Sequence, residues 1–348
     1  MRYGSFLKGN GTVGFIAPSF GCATEPYDLL FDKTLEKLES MGYRYKLGPN
    51  CRISEGVGIS NTPQKCGLEV MDFFKDPESD VLISCGGGEL MCEILDFIDF
   101  DELKKLPPKL FMGYSDNTNL IFLLNTLCDT AAIYGPCAAE FGKNTWEESD
   151  KDAFQMLCGN KLEVHSYDKW QADDEKFEDI YAGYNMTHDR IHVIYNNGKV
   201  FRSTEEYPEF SFDGRIIGGC LDCLVNICGT KFDKVSEFVE RYRNEGIIWF
   251  LESCELNVFS IRRALWNLDR AGWFKYTKGF LIGRSLNGGE LFNLDNTNAY
   301  VGALSKYNVP IIMDMDIGHL DPMMPILSGA FSEVCSKQNQ VLIKFRLI

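Results

Sequence analysis

Through the first 140 residues, short apolar runs alternate with segments in which apolar residues recur every three or four positions. TVGFIAP, YRYKL, VLISC, KLFMGY and AAIYGP read as strands; Tyr27 to Met41, Gln64 to Phe74, Leu90 to Ile98 and Leu120 to Leu127 read as helices. Such alternation predicts right-handed crossovers and a parallel sheet covered on both faces. Active sites in these sheets lie beyond the carboxyl ends of the strands. Pro26 and Thr62-Pro63 stand where two of the helices should begin.

From about Gly142 to Asp213 the pattern breaks into polar, aromatic-flecked text without the spacing of long helices. A linker followed by small strands, opening a second domain, is the expectation. Strand-like runs then return at GIIWFLE, KGFLIG and VPIIMDMD, separated by helical patterns over Ser260 to Ala271 and Asn296 to Lys306. There is no internal repeat and no low-complexity tract.

A chain of 348 residues exceeds the size at which one hydrophobic core stops growing. The expected organisation is α/β, with an N-terminal parallel-sheet domain over 1–165 and a distinct C-terminal α/β domain over 166–348. Apolar residues at 45% and charged residues at 24% are the balance of an ordinary globular protein. The opening stretch lacks the apolar core of a signal peptide, and no run approaches the roughly 20 residues that span a bilayer. A cytoplasmic protein without membrane contact is expected. A formal net charge of −15, with no basic cluster, argues against nucleic acid, which is held mainly through Lys and Arg on phosphates.

The 13 cysteines are odd in number and scattered, which suits reduced thiols better than a disulfide framework. Cys220, Cys223 and Cys228 come nearest to a metal signature, yet no second ligand pair or nearby histidine completes a tetrahedral set. No metal or other cofactor is expected.

Three junctions carry reactive or ion-pairing side chains where a parallel sheet exposes its carboxyl edge: Ser115 in FMGYSDNTNL, Glu252 in IIWFLESCE and His319 in IIMDMDIGHLDP. A serine hydroxyl is a weak nucleophile and needs a base, itself oriented by a carboxylate. Each residue also has a bland reading. Ser115 with Asp116 resembles a helix N-cap pair, Glu252 a strand-end charge, and His319 a structural histidine in a turn. Of the four histidines, His165 falls in the linker, and His188 and His192 flank a polar, alternating segment typical of a solvated surface; only His319 follows a buried-looking strand. Three consecutive glycines in SCGGGEL leave backbone N–H groups unobstructed, as an oxyanion hole or a phosphate cradle requires. They lack the spacing of a dinucleotide fingerprint and the lysine of a P-loop.

Seven stretches in order now carry a resemblance: GFIAPSF, SCGGGELMCEILDFIDF, LFMGYSDNTNLIFLLNT, YGPCAAEFG, GRIIGGCLDCLVNICGT, WFLESCELNVFSIRRALWNLDRAGWF and DIGHLDPMMPILSGA. The chain resembles the serine peptidases that include the LD-carboxypeptidases of murein recycling and the microcin C immunity peptidases. The resemblance implies a triad of Ser115 as nucleophile, His319 as base and Glu252 as its orienter, in an active site between the two domains. It implies an oxyanion hole from the backbone of Asp116 and Gly87. Gly88 and Glu89 stand where many members carry an aromatic residue or asparagine, and are expected to touch substrate. Cys220 stands where asparagine is common in the family. The long segment between Ser115 and Glu252 looks like the microcin-immunity branch, in which a tryptophan-bearing loop helps to hold an aminoacyl nucleotide; Trp170 is the residue expected to stack, with Trp146 in the same segment.

The expected activity is amide hydrolysis through an acyl-enzyme. The expected partners are a small-molecule or peptide substrate and a second copy of the chain in a homodimer. Release of D-alanine from a murein tetrapeptide is the alternative, and an inactive binding or immunity protein the alternative from another class. An amidotransferase-like enzyme would need cysteine at position 115. An Arg or Lys must anchor the anionic end of the substrate, and the sequence leaves it unassigned.

Overall fold

A computed structural model describes residues 1–203 and 207–348; residues 204–206, in the stretch expected to form small strands, lie outside the described residues. The chain divides into two compact units. One comprises residues 1–161, 177–184 and 325–328, the other residues 162–176, 185–324 and 329–348.

The first unit is built on a six-stranded sheet in the order Ile326–Ser328, Ala132–Tyr134, Leu110–Gly113, Val81–Ser84, Thr12–Ile16, Arg44–Leu47. The last five strands are parallel, and Ile326–Ser328 runs antiparallel at one edge. Thr12–Ile16, Val81–Ser84 and Leu110–Gly113 are buried at every position. Parallel strands covered on both faces require such continuous apolar runs. Helix Pro63–Lys75 starts as the sequence predicts, with Thr62 accepting from the Lys65 N–H and Pro63 in the first turn. From Thr12–Ile16 the chain first adds Arg44–Leu47 on one side, then Val81–Ser84 on the other. That reversal is a topological switch point, where strand ends diverge and leave a crevice.

The second unit carries a nine-stranded mixed sheet: Lys199–Arg202, Val193–Asn196, Ile311–Met315, Thr277–Gly283, Ile247–Glu252, Phe210–Cys220, Phe331–Lys337, Gln340–Arg346, Glu163–His165. Its centre, from Ile311–Met315 to Phe210–Cys220, is parallel; antiparallel strands flank it. Helix Val258–Arg270 begins where Asn257 accepts from the Ser260 N–H.

Three expectations need correction. The stretch after Gly142 contains a helix, Glu148–Leu157, whose start is secured by the Glu147 N–H donating to Asp150 Oδ2 at 2.9 Å. Its buried face, Ala153, Phe154, Met156 and Leu157, hides among charged neighbours in the sequence. Leu90 to Ile98 forms a 3-10 helix, Met91–Phe97, and not an α-helix. His192 lies fully buried and not on a solvated surface, and burial pushes its imidazole down to about 3, with Arg190 and Arg284 adding to the effect.

Candidate active site

Strand Leu110–Gly113 hands over through Tyr114 to a 3-10 turn, Ser115–Asn117, and then to helix Thr118–Thr126. Ser115 takes φ +59°, in the left-handed region. A non-glycine residue held there costs on the order of 1–3 kcal/mol and persists only where its surroundings impose it. The cap positions of the turn and the helix belong to Tyr114 and Asn117, so Ser115 is not the N-cap that its neighbour Asp116 suggests. Its backbone N–H donates to Tyr134 Oη at 3.2 Å, from the end of the adjoining strand.

The glycine turn after Val81–Ser84 packs directly on this bend. A Cβ on Gly87 would stand 3.1 Å from Ser115 Cβ and 3.2 Å from its Oγ, and one on Gly88 would stand 2.1 Å from Ser19 Oγ. Side chains at either position would displace the serine or the loop carrying Ser19. Asp116 ties the three segments together. Its Oδ2 accepts from Ser19 Oγ at 2.5 Å and from the Met91 N–H at 2.9 Å, and its Oδ1 accepts from Asn119 Nδ2 at 3.0 Å. Asn117 Nδ2 donates to Gly86 O at 2.8 Å, and the Phe20 N–H to Gly87 O at 2.7 Å. The carboxyl ends of three neighbouring strands thus meet around Ser115, as the switch point requires. Ser19 escaped the sequence reading; its only signal was its place at the end of the first strand. Glu89 is exposed, and its N–H donates to Gly58 O at 3.0 Å.

In the second unit, Glu252 closes strand Ile247–Glu252 and is fully buried. Its Oε2 lies 2.9 Å from His319 Nδ1. Two glycines make room for it: a Cβ on Gly283 would approach Glu252 Cβ to 2.9 Å, and one on Gly318, at φ +103°, would approach Oε2 to 2.6 Å. Burial pushes the His319 imidazole down, but the Glu252 carboxylate outweighs that and, with hydrogen bonds from the ring to Glu252 and Cys254, holds it well above its ordinary value. Asp222 fixes the backbone beyond Glu252, accepting from the N–H groups of Cys254, Glu255 and Leu256 at 3.2, 2.9 and 3.2 Å. The sequence offered no sign of that role.

A left-handed serine beside a glycine turn and a buried carboxylate–histidine pair are the parts of a serine hydrolase. The LD-carboxypeptidase N-terminal domain model matches residues 13–135, and the LD-carboxypeptidase C-terminal domain model matches residues 213–334. The chain belongs to the LD-carboxypeptidase family. It is thus a serine peptidase. Among its relatives is the microcin C7 self-immunity protein MccF of Escherichia coli, 24% identical over 91% of this chain and 88% of that protein. A solved complex of MccF with aspartyl sulfamoyl adenosine shares the fold at a TM-score of 0.79, with 20% identity and 99% and 98% of the two chains covered. An MccF-like protein from Bacillus anthracis gives 0.81 at 22% identity, covering 99% and 100%. Muramoyltetrapeptide carboxypeptidase from Oxalobacter formigenes gives 0.66 at 18%, covering 96% and 98%.

The other residues singled out in this member of the family fall in different surroundings. Trp170, in the short strand Lys169–Trp170, stacks on His188 with centroids 4.7 Å apart, and the Arg284 guanidinium lies 5.0 Å from its ring centre. Trp146 packs against Phe141 and Phe154 and donates to Phe141 O, so it serves the core of the first unit. Cys220 pairs in register with Glu252 and is buried. Contact with Cys223, burial and the Glu252 charge raise its thiol well above the ordinary range, which keeps it protonated. Among the described residues, Cys220, Cys223 and Cys228 do not converge as a three-ligand cluster.

Proposed function

We propose that Ser115, His319 and Glu252 act as one triad in hydrolysing an amide. Glu252 accepts from His319 Nδ1–H, which fixes the tautomer and leaves Nε2 as the base. Nε2 takes the Ser115 hydroxyl proton as Oγ bonds to the carbonyl carbon. The backbone N–H groups of Asp116 and Gly87 hold the oxyanion. Collapse breaks the C–N bond, and His319 passes its proton to the departing amine. Water, activated by the same nitrogen, then bonds to the acyl carbon and releases the acid from Ser115.

The preferred substrate is an aminoacyl nucleotide joined through an amide, as the kinship with MccF, named for self-immunity to microcin C7, supports. Trp170 contributes an aromatic face to that substrate. The muramoyltetrapeptide carboxypeptidase fold keeps a second substrate in view, a murein tetrapeptide losing its terminal D-alanine. The setting we infer is a cytoplasmic homodimer, and the free cysteines suit a reducing compartment. Among the described residues no helix is long and apolar enough to cross a membrane.

The observation that carries this reading is the Glu252–His319 pair in a chain whose serine is held at φ +59°. The test is side-by-side turnover of an aminoacyl phosphoramidate of adenosine and a murein tetrapeptide, by wild type, Ser115→Ala and Trp170→Ala. Cleavage of the nucleotide, abolished in Ser115→Ala and reduced about tenfold by Trp170→Ala, is expected from the worth of base–aromatic stacking. Release of D-alanine, insensitive to Trp170, transfers the enzyme to the murein reading. Turnover of neither compound defeats both.

A further inference from the structure

The second unit holds a cavity of about 540 Å³ whose wall includes Trp170, His188, Arg202, Arg284, Asp314 and Leu320. Leu320 follows His319 in the chain, so the cavity begins one residue from the base. Its volume lies within the roughly 300–1,000 Å³ of small-molecule sites.

Arg284 sets this wall apart. It is 5% exposed, with its guanidinium over the Trp170 ring. Its Nη1 donates to the buried Asp316 carboxylate at 2.6 Å, which fixes the plane of the group. Its Nη2 is buried and has no hydrogen-bond partner among the described residues. Leaving a buried donor unsatisfied costs on the order of 1–3 kcal/mol, and more on a charged group. Folds rarely retain that cost away from a functional site. Nearby carboxyls do not relieve it: Asp316 is engaged at Nη1, and Asp314, which shares the cavity wall, receives no hydrogen bond from Nη2.

The geometry points to Arg284 Nη2 as the donor that anchors an anionic oxygen on the departing half of the substrate, a role that rests on the hydrolase reading above. Both substrate classes carry one there. In a peptide the terminal carboxyl carbon lies two bonds from the amide nitrogen; in an aminoacyl phosphoramidate the phosphorus is bonded to it. A guanidinium held by one carboxylate and one aromatic face presents its remaining nitrogen in a fixed direction, which a lysine ammonium does not.

The test measures equilibrium binding to full-length Ser115→Ala protein, where nothing is turned over. Two probe pairs separate the sources of the anion: a D-alanine-terminated tetrapeptide against its C-terminal amide, and adenosine monophosphate against adenosine. Arg284→Lys keeps a cation for Asp316 and removes Nη2. It is expected to weaken the charged member of one pair about tenfold or more while leaving its neutral member unchanged. The pair that responds identifies the anion as carboxylate or phosphoryl. Unchanged affinity for both charged probes, or equal losses for charged and neutral members, overturns the assignment. So does equal binding of the charged and neutral members to protein with Arg284 intact, a comparison that needs no second variant to fold. Hydrolysis by wild type is scored separately, so a failed anchor and a failed hydrolase are told apart.

Discussion

The segment carrying Ser115, our proposed nucleophile, and the Glu252–His319 pair, our proposed base and orienter, are held in place by different physics. Around Ser115 the restraint is backbone geometry: a left-handed residue, glycines packed against it, a hydrogen bond donated by Asn117 and one accepted by the Asp116 carboxylate. Around His319 the restraint is electrostatic: a buried carboxylate faces an imidazole at 2.9 Å. The first arrangement is sensitive to volume. The second is also closely packed, with Gly283 and Gly318 against Glu252, but it depends in addition on which groups are charged.

The largest expected effect removes the proposed nucleophile. Ser115→Ala is expected to lower kcat by roughly 10⁴- to 10⁶-fold with the fold intact, as triad knockouts do. It also relieves no packing, so thermal unfolding will move little. Next, Glu252→Gln keeps the shape of the second region and removes its charge. A loss of about 10⁴-fold in kcat is expected where the wrong tautomer results. The same substitution sharpens the contrast through pH. His319 must be neutral to accept a proton, and its raised pKa places the acid limb of kcat/KM well above the ordinary histidine value of 6.5. Glu252→Gln is expected to bring that limb down. Because the folded value is raised, the pair's contribution to stability is fully present below the unfolded pKa and is lost as pH rises through the folded one. Urea midpoints across that window will show the decline in wild type and not in Glu252→Gln.

A volume change in the first region should do what a charge change does in the second. Gly87→Ala pushes a methyl group to 3.1 Å from Ser115 Cβ. A drop in kcat of about 10²- to 10³-fold is expected, comparable to losing one oxyanion donor, with the pH profile unmoved. A shifted acid limb in Gly87→Ala would erase the distinction between the regions. The smallest expected effect is at Asp222, whose carboxylate steadies the backbone after Glu252. Asp222→Asn is expected to cost about tenfold in kcat through a slightly displaced Glu252, on the scale of a supporting hydrogen bond.

The first unit was more legible in the sequence than the second, and the reason is periodicity. Its inner parallel strands are buried on both faces and read as unbroken apolar runs, so VLISC and KLFMGY announce themselves. In the second unit, Phe331–Lys337 and Gln340–Arg346 alternate buried with half-buried or exposed positions, a weaker signal in a short window. Strand Phe210–Cys220 begins inside polar text and is buried only from Gly214 onward. Ser115, Glu252 and His319, the proposed triad, were legible as residue types at strand ends. Their supports were not: the Asp116 side chain, Ser19, Asp222 and Arg284 act through contacts distant in the chain, and nothing in local spacing marks them. His192 shows the opposite error, a polar-looking neighbourhood that tertiary packing buries completely.

The central claim is that Ser115 and His319 work as parts of one machine. It is tested most directly by kcat for Ser115→Ala, His319→Ala and the double variant on whichever substrate the wild type cleaves. Groups acting as a unit lose nearly everything at the first removal, so the double variant is expected within about threefold of either single. Losses that multiply would mean that serine and histidine contribute separately, and the triad assignment would be wrong.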